Sequence, residues 1–332
     1  MALIFLTGAH GQVGQEVELA LLKAGHRVVS ATRRSLDITK ADHVLSAIAD
    51  SKAEAVINAA AYTNVEKAED ENALAYNVNA LGARNLARAC AQVGIPLIHL
   101  STDYVFSDHK HQPHREDDPT NTECAYGKGK LDGENLIIAS GCKYLIVRTS
   151  WLFGRFGRNF VKIMLTMAQD RTELAVVCDQ IGNPTPVRPL AEALVKLTQL
   201  TLDPDFSAYG IYHFGGYQPT TWDEFARAVF AQALQMKVLP HPVNVISISS
   251  SDFKSKAQRP QDSRLDCTKI QEVLGISVPY WPDYLSEVIT AYVREHQGLS
   301  PVEHYDPSPS YLDSTQVNHS YVSNAAGPAR LS

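Results

Sequence analysis

Leu3-Ile4-Phe5-Leu6-Thr7-Gly8-Ala9-His10-Gly11-Gln12-Val13-Gly14 is the stretch on which the reading of this chain turns. Five apolar or β-branched residues read as a buried strand, and the apolar periodicity over 13–24 reads as a helix. Between them the spacing GxxGxxG reads as a tight turn. With no side chains at Gly8, Gly11 and Gly14, backbone amides around Gln12 and Val13 at the helix N-terminus can approach a pyrophosphate, and the helix dipole favours negative charge there. A glycine triplet alone is weak evidence; set between a strand and a helix, it predicts a dinucleotide site.

The alternation continues outward. Apolar runs over 27–31, 55–58, 96–101 and 144–149 read as strands, and 73–93 and 126–140 as helices, which predicts a Rossmann-like α/β fold with a doubly wound parallel sheet over residues 1–150. From Trp151 the order loosens, with helices expected over 159–169 and 189–200 and an extended segment over 211–214. Residues 151–298 are therefore expected to form a smaller substrate-binding portion, interleaved with the sheet domain. The stretch 299–332, rich in Ser, Pro, Asn and Tyr, lacks apolar periodicity and is expected to be a flexible tail.

Composition narrows the function classes. Among 332 residues, 45% are hydrophobic and 20% charged, ordinary values that exclude a fibrous or wholly disordered chain. A net charge of -6 without a basic stripe argues against nucleic acid as a partner. The five cysteines fall in no CxxC pair and no zinc spacing, which fits a reducing compartment. No apolar run approaches the roughly 18 residues of a membrane span, so a cytoplasmic protein without a membrane partner is expected.

The end of the second strand reads Val28-Val29-Ser30-Ala31-Thr32-Arg33-Arg34, with no carboxylate to hold a ribose 2′-hydroxyl. Arg33, with Arg34 beside it, suits a 2′-phosphate through charge-assisted bonds, so NADPH is expected, with NADH the alternative. Asp37 and Ile38 are expected against the adenine, and Ala60, Ala61, Tyr62 and Thr63, past the third strand, along the cofactor.

Tyr126 and Lys130 stand at i and i+4 at the start of a helix and share a face. A ketone that accepts hydride needs a proton for its developing alkoxide; a phenol supplies it, and a nearby ammonium lowers the phenol pKa. Lys130 is also expected to hold the nicotinamide ribose. Thr102, at the end of a strand, offers a hydroxyl to polarise the substrate oxygen. Arg259 and Arg264 lie in a late Pro-containing loop, where two guanidinium forks suit a nucleotide diphosphate.

Ser101-Thr102-Asp103-Tyr104-Val105-Phe106 and Tyr126-Gly127-Lys128-Gly129-Lys130-Leu131-Asp132-Gly133-Glu134 resemble the dTDP-4-dehydrorhamnose reductase family of extended short-chain dehydrogenases. The likeness runs on through Arg148-Thr149-Ser150-Trp151, Asp179 to Thr185 and Arg259 to Leu265. It implies hydride transfer from NAD(P)H to C4 of dTDP-4-dehydro-L-rhamnose, giving dTDP-L-rhamnose for cell-surface polysaccharide. It implies catalytic roles for Thr102, Tyr126 and Lys130, and substrate contacts for Asp103, Tyr104 and Trp151. Some members bridge a dimer with Mg²⁺ held by glutamates; Glu16 matches one such position, but Arg188 stands where another carboxylate belongs. No metal is therefore expected, and a homodimer is left open. The polar run from His109 to His114 is expected to be a surface loop. Two other readings share parts of the pattern: the non-catalytic regulatory β subunit of methionine adenosyltransferase, and a reductase or epimerase of another nucleotide-linked 4-keto sugar.

Overall fold

Phe5 pairs in parallel with Val29 on one side and Val56 on the other, which puts the first strand in the interior of a sheet. The computed structural model describes residues 1–106 and 111–303; the tail expected over 299–332 therefore lies outside the described residues from 304 on, and so do His109 and Lys110. The first half runs β1 (Leu3–Thr7), α1 (Gln12–Lys23), β2 (Arg27–Ala31), α2 (Ala41–Ser51), β3 (Ala55–Asn58), α3 (Val65–Asp70), α4 (Asn72–Tyr76), a π-helical segment (Asn77–Gly82) and α5 (Ala83–Val93). It continues with β4 (Leu97–Thr102), a 3-10 turn (Asp103–Val105), α6 (Ala125–Ile138) and β5 (Tyr144–Thr149). Then come β6 (Leu152–Phe153), α7 (Phe160–Ala168), β7 (Glu173–Val177), β8 (Ile181–Gly182), β9 (Thr185–Pro186), α8 (Val187–Thr201) and β10 (Gly210–His213). The last elements are β11 (Thr220–Thr221), α9 (Trp222–Gln235), β12 (Asn244–Ile248), α10 (Thr268–Leu274), a 3-10 turn (Trp281–Tyr284) and α11 (Leu285–His296).

Six parallel strands form the central sheet in the order β10-β5-β4-β3-β1-β2. Both faces are covered, as near-continuous apolar strands require. On one face Val13, Val17 and Leu21 of α1 pack with Leu190, Leu194 and Leu197 of α8. On the other, Val44 and Ile48 of α2 pack with Leu86 and Cys90 of α5 and Ile137 of α6. Within 151–298, α8 and β10 thus belong to the sheet body. A separate core gathers Val161 and Leu165 of α7, Phe225 and Val229 of α9, and Val288 and Ile289 of α11, beside the parallel pair β7 and β12. No helix of the described residues is long and apolar enough to cross a membrane.

The single helix expected over 73–93 is interrupted: residues Asn77–Gly82 are wound as a π-helix. This widened turn carries Asn79 to a position where its amide brackets the Tyr62 peptide, accepting from Tyr62 N at 2.8 Å and donating to Tyr62 O at 3.0 Å. Helix α6 crosses this segment closely enough that a Cβ on Gly133 would lie 2.4 Å from the Asn79 carbonyl oxygen. Gly133→Ala is therefore expected to destabilise the protein by about 1–3 kcal/mol through overpacking against backbone. Urea unfolding checks this; wild-type stability in the variant would contradict the close crossing.

Candidate active site

The order of the sheet reverses between β1 and β3, and the loops leaving these two strands meet at their carboxyl ends, where open α/β sheets bind ligands. Gly8 has φ +72°, and a Cβ there would lie 2.6 Å from the backbone of Ala59 and Ala60. A Cβ on Gly14 would lie 2.1 Å from the Gly8 carbonyl oxygen, so α1 packs directly on the turn. The N-cap of α1 is Gly11, with no side-chain cap and no acidic residue in the first turn. The first amides of this 12-residue helix therefore lack a side-chain acceptor, an arrangement that fits a pyrophosphate.

The other cofactor candidates surround this turn unevenly. Arg33 and Arg34 are exposed just past β2. Val13 and Ile38 point into the core at 9% and 6% exposure, so only their backbone can face a ligand; Ile38 packs on Gly82 rather than lying open to an adenine. The Asp37 carboxylate is engaged by Thr39, accepting from its hydroxyl at 2.7 Å and its amide at 3.0 Å. Gln12 accepts from Asn159 Nδ2 at 3.0 Å. Ala60, Ala61 and Tyr62 are half-buried and Thr63 is exposed; the Tyr62 hydroxyl donates to Glu71 at 2.7 Å.

Thr102 ends β4 with its hydroxyl donating to Asp103 Oδ1 at 3.0 Å and accepting from Tyr104 N at 3.2 Å. The Tyr126 hydroxyl comes close to the Thr102 side chain from the first turn of α6, a turn capped by Cys124 Sγ accepting from Gly127 N at 3.3 Å. One turn on, Lys130 is 2% exposed, donates to Leu100 O at 2.6 Å and lies 3.2 Å from His99 Nε2. The structure thus brings Thr102, Tyr126 and Lys130 close together. Burial sets their acidities: it holds the Tyr126 phenol above its ordinary value against the nearby Thr102 side chain, and lowers Lys130 to about 8 against the nearby Glu134 carboxylate. The phenol is thus not acidified here, because its own burial disfavours the charged phenolate and the nearby Asp103 and Cys124 push the same way. Asp103 is raised to about 6, by burial first, with Ser263 and Thr102 hydrogen bonds opposing.

Behind these groups lies a network to which sequence reasoning gave no role. Glu134, one further turn along the Tyr126 and Lys130 face of α6, accepts from Arg148 of β5 at 2.7 and 3.0 Å and from the Ser101 hydroxyl. Both charges are buried, at 3% and 1% side-chain exposure. The i, i+4 continuation from Lys130 to Glu134 was the available signal.

Substrate candidates are more constrained than their sequence suggested. Asp103 is buried with Oδ2 unpartnered, and the Tyr104 ring meets Tyr126 edge-on at 5.5 Å. Trp151, at φ 45°, stacks on Trp222 with centroids 3.5 Å apart, so its indole is packed onto the second core rather than standing free as a sugar platform. Arg259 is paired with Glu66 at 2.8 Å and Arg264 with Asp262, so neither guanidinium is unoccupied. His114 corrects the surface-loop expectation: it is 3% exposed, stacked on Phe106 at 4.2 Å and bridged to Leu265, while His111 is exposed.

The chain matches the model of the RmlD substrate binding domain over residues 1–294. It is 41% identical to a dTDP-4-dehydrorhamnose reductase of Aggregatibacter actinomycetemcomitans, covering 87% of this chain and 98% of that protein. This chain belongs to the dTDP-4-dehydrorhamnose reductase family. It is also 37% identical to a spore coat polysaccharide biosynthesis protein, SpsK, of Bacillus subtilis, over 87% and 97% of the two chains. Among solved structures, a dTDP-4-dehydrorhamnose reductase of Bacillus anthracis in complex with NADP superposes with TM-score 0.79 at 35% identity, covering 87% of this chain and 98% of that one.

Glu16 and Arg188, the positions compared above with the glutamates that hold magnesium in some members of the reductase family, are both engaged within the chain. Glu16 is paired with Arg155 at 2.8 Å, and Arg188 with Glu287 at 2.8 Å. Each of the two positions is thus occupied by an ion pair within the chain, with a guanidinium against each carboxylate. For the buried pair behind the site, Glu134→Met is expected to cost about 3–5 kcal/mol by stranding the Arg148 charge, and Glu134→Met with Arg148→Met to recover much of that loss. Equilibrium denaturation of the single and double variants checks this; a double variant as unstable as the sum of its parts would rule it out.

Proposed function

We propose that this chain reduces the C4 ketone of dTDP-4-dehydro-L-rhamnose with NADPH, giving dTDP-L-rhamnose for polysaccharide synthesis in the cytoplasm. The carrying observation is the convergence of Thr102, Tyr126 and a buried Lys130, in a chain 41% identical to a reductase of that name. When bound, the cofactor supplies hydride to C4. The amides from Gly8 to Gly14 would hold its pyrophosphate and Arg33 its 2′-phosphate, with residues 60–63 as further cofactor contacts. Lys130 binds the nicotinamide ribose.

Thr102 donates its hydroxyl hydrogen bond to the ketone oxygen, and Tyr126 gives its phenolic proton to that oxygen as negative charge develops. A phenol held above its ordinary pKa stays protonated through neutral pH, the state an acid must be in before the reaction. Asp103 offers its unpartnered Oδ2 to a sugar hydroxyl. Tyr104 and Trp151 shape the sugar pocket, and Arg259 and Arg264 exchange their carboxylate partners for the diphosphate. We assign the second core, with α7, α9 and α11, to substrate binding.

Loss of absorbance at 340 nm with NADPH and enzymatically generated dTDP-4-dehydro-L-rhamnose tests this reading. The wild type is expected to turn over and Tyr126→Phe to lose about 10²–10⁴-fold in kcat while still binding NADPH. A wild type that binds NADPH but oxidises none of it, or a Phe variant at full rate, would refute it.

A further inference from the structure

His99 sits in β4 at 1% exposure, between Asn58 of β3 and Lys130 of α6. Its ring nitrogens are both engaged: Nδ1 is 2.8 Å from Asn58 Nδ2, and Nε2 is 3.2 Å from Lys130 Nζ. The orientation of the Asn58 amide is fixed, because its Oδ1 accepts from the backbone N–H of Ala60 at 3.0 Å and from the Thr7 hydroxyl at 2.6 Å. A backbone N–H can only donate, so Oδ1 faces Ala60 and the NH₂ faces His99. His99 Nδ1 must then be the unprotonated nitrogen, and the ring proton lies on Nε2, aimed at the lysine.

We infer that His99 is a positioning residue for Lys130: its Nε2–H faces the lysine nitrogen, so that the neutral amine, accepting from His99 and donating to Leu100 O, is the form that fits this position in cofactor-free protein. An ammonium has no lone pair to accept that proton, so protonated Lys130 must turn away from His99. The ribose site is the polar alternative, so cofactor binding and proton uptake by Lys130 are coupled. The chain Ala60 to Asn58 to His99 to Lys130 also ties the loop after β3 to α6, across the site.

Other charges near Lys130 are already committed. Glu134 on its own helix is paired with Arg148 of β5, Asp103 is bonded to Thr102, and Glu69 of α3 accepts from Ala125 N at 2.9 Å. Tyr126, one turn back, lies beside Thr102. Burial keeps the His99 ring far below its ordinary pKa, so the neutral tautomer persists through the working range. Lys130 itself is lowered to about 8.

The inference rests on Lys130 belonging to the site, but its test needs neither substrate nor turnover. Nitrogen-15 NMR of cofactor-free protein is expected to show His99 protonated at Nε2 alone from pH 6 to 9. In the same protein, Lys130 followed by its ¹³Cε shift is expected to titrate near 8. In His99→Gln, with a carbonyl able to face the amine, that midpoint is expected to rise by about one unit. A His99 proton on Nδ1, a doubly protonated ring, or a Lys130 midpoint unmoved in His99→Gln would each overturn the inference. The wild-type tautomer decides alone should the variant fail to fold. These results stand whether or not the protein reduces the proposed sugar, so failure here and failure of the proposed reaction are distinguishable.

Discussion

The site depends on a buried ion pair that touches no reacting group, Glu134 with Arg148. Glu134 belongs to the same helix face as Tyr126 and Lys130, Arg148 to the strand beside β4, and Ser101, the residue before Thr102, donates to the same carboxylate. One carboxylate therefore ties the helix that carries Tyr126 and Lys130 to the strand that carries Thr102. Away from water the pair has no cheap alternative partners, so its geometry is sharply defined. The close approach of α6 to the π-helical segment at Gly133 fixes the same helix from its other side.

Burial then governs the chemistry. A phenol and an amine that would titrate close together in water are moved in opposite directions, the phenol away from ionisation and the amine toward neutrality. In the proposed reaction Tyr126 is therefore protonated when the ketone arrives, and Lys130, at about 8, exchanges its proton close to neutral pH. His99 extends this control inward, because a histidine locked by Asn58 presents a donor where an ammonium would want an acceptor.

Much of the sheet was legible in the sequence because its strands are short, apolar and bounded by turn residues. Segments 3–7, 27–31, 55–58 and 144–149 coincide with β1, β2, β3 and β5. The i, i+4 spacing of Tyr126 and Lys130 likewise carried into the structure, since helix geometry alone brings them to one face. What local pattern could not carry is non-local pairing. His114 looks like part of a polar loop until it stacks on Phe106 and pairs with Leu265, and the β7 to β12 ladder joins segments separated by α8 and α9. Trp151 and Arg259 are similar cases, their surroundings set by Trp222 and Glu66 from distant parts of the chain.

The fold also supports enzymes other than reductases, since a dTDP-glucose 4,6-dehydratase and a UDP-glucose 4-epimerase share the architecture at 16% and 19% identity. The fate of the hydride separates these chemistries most directly. With NADPH deuterated at the transferring position of the nicotinamide, mass spectrometry and NMR of the product are expected to show one deuterium, at C4 of dTDP-L-rhamnose, with one cofactor oxidised per product. Product without deuterium at C4, or cofactor returned unoxidised after turnover, would contradict the account.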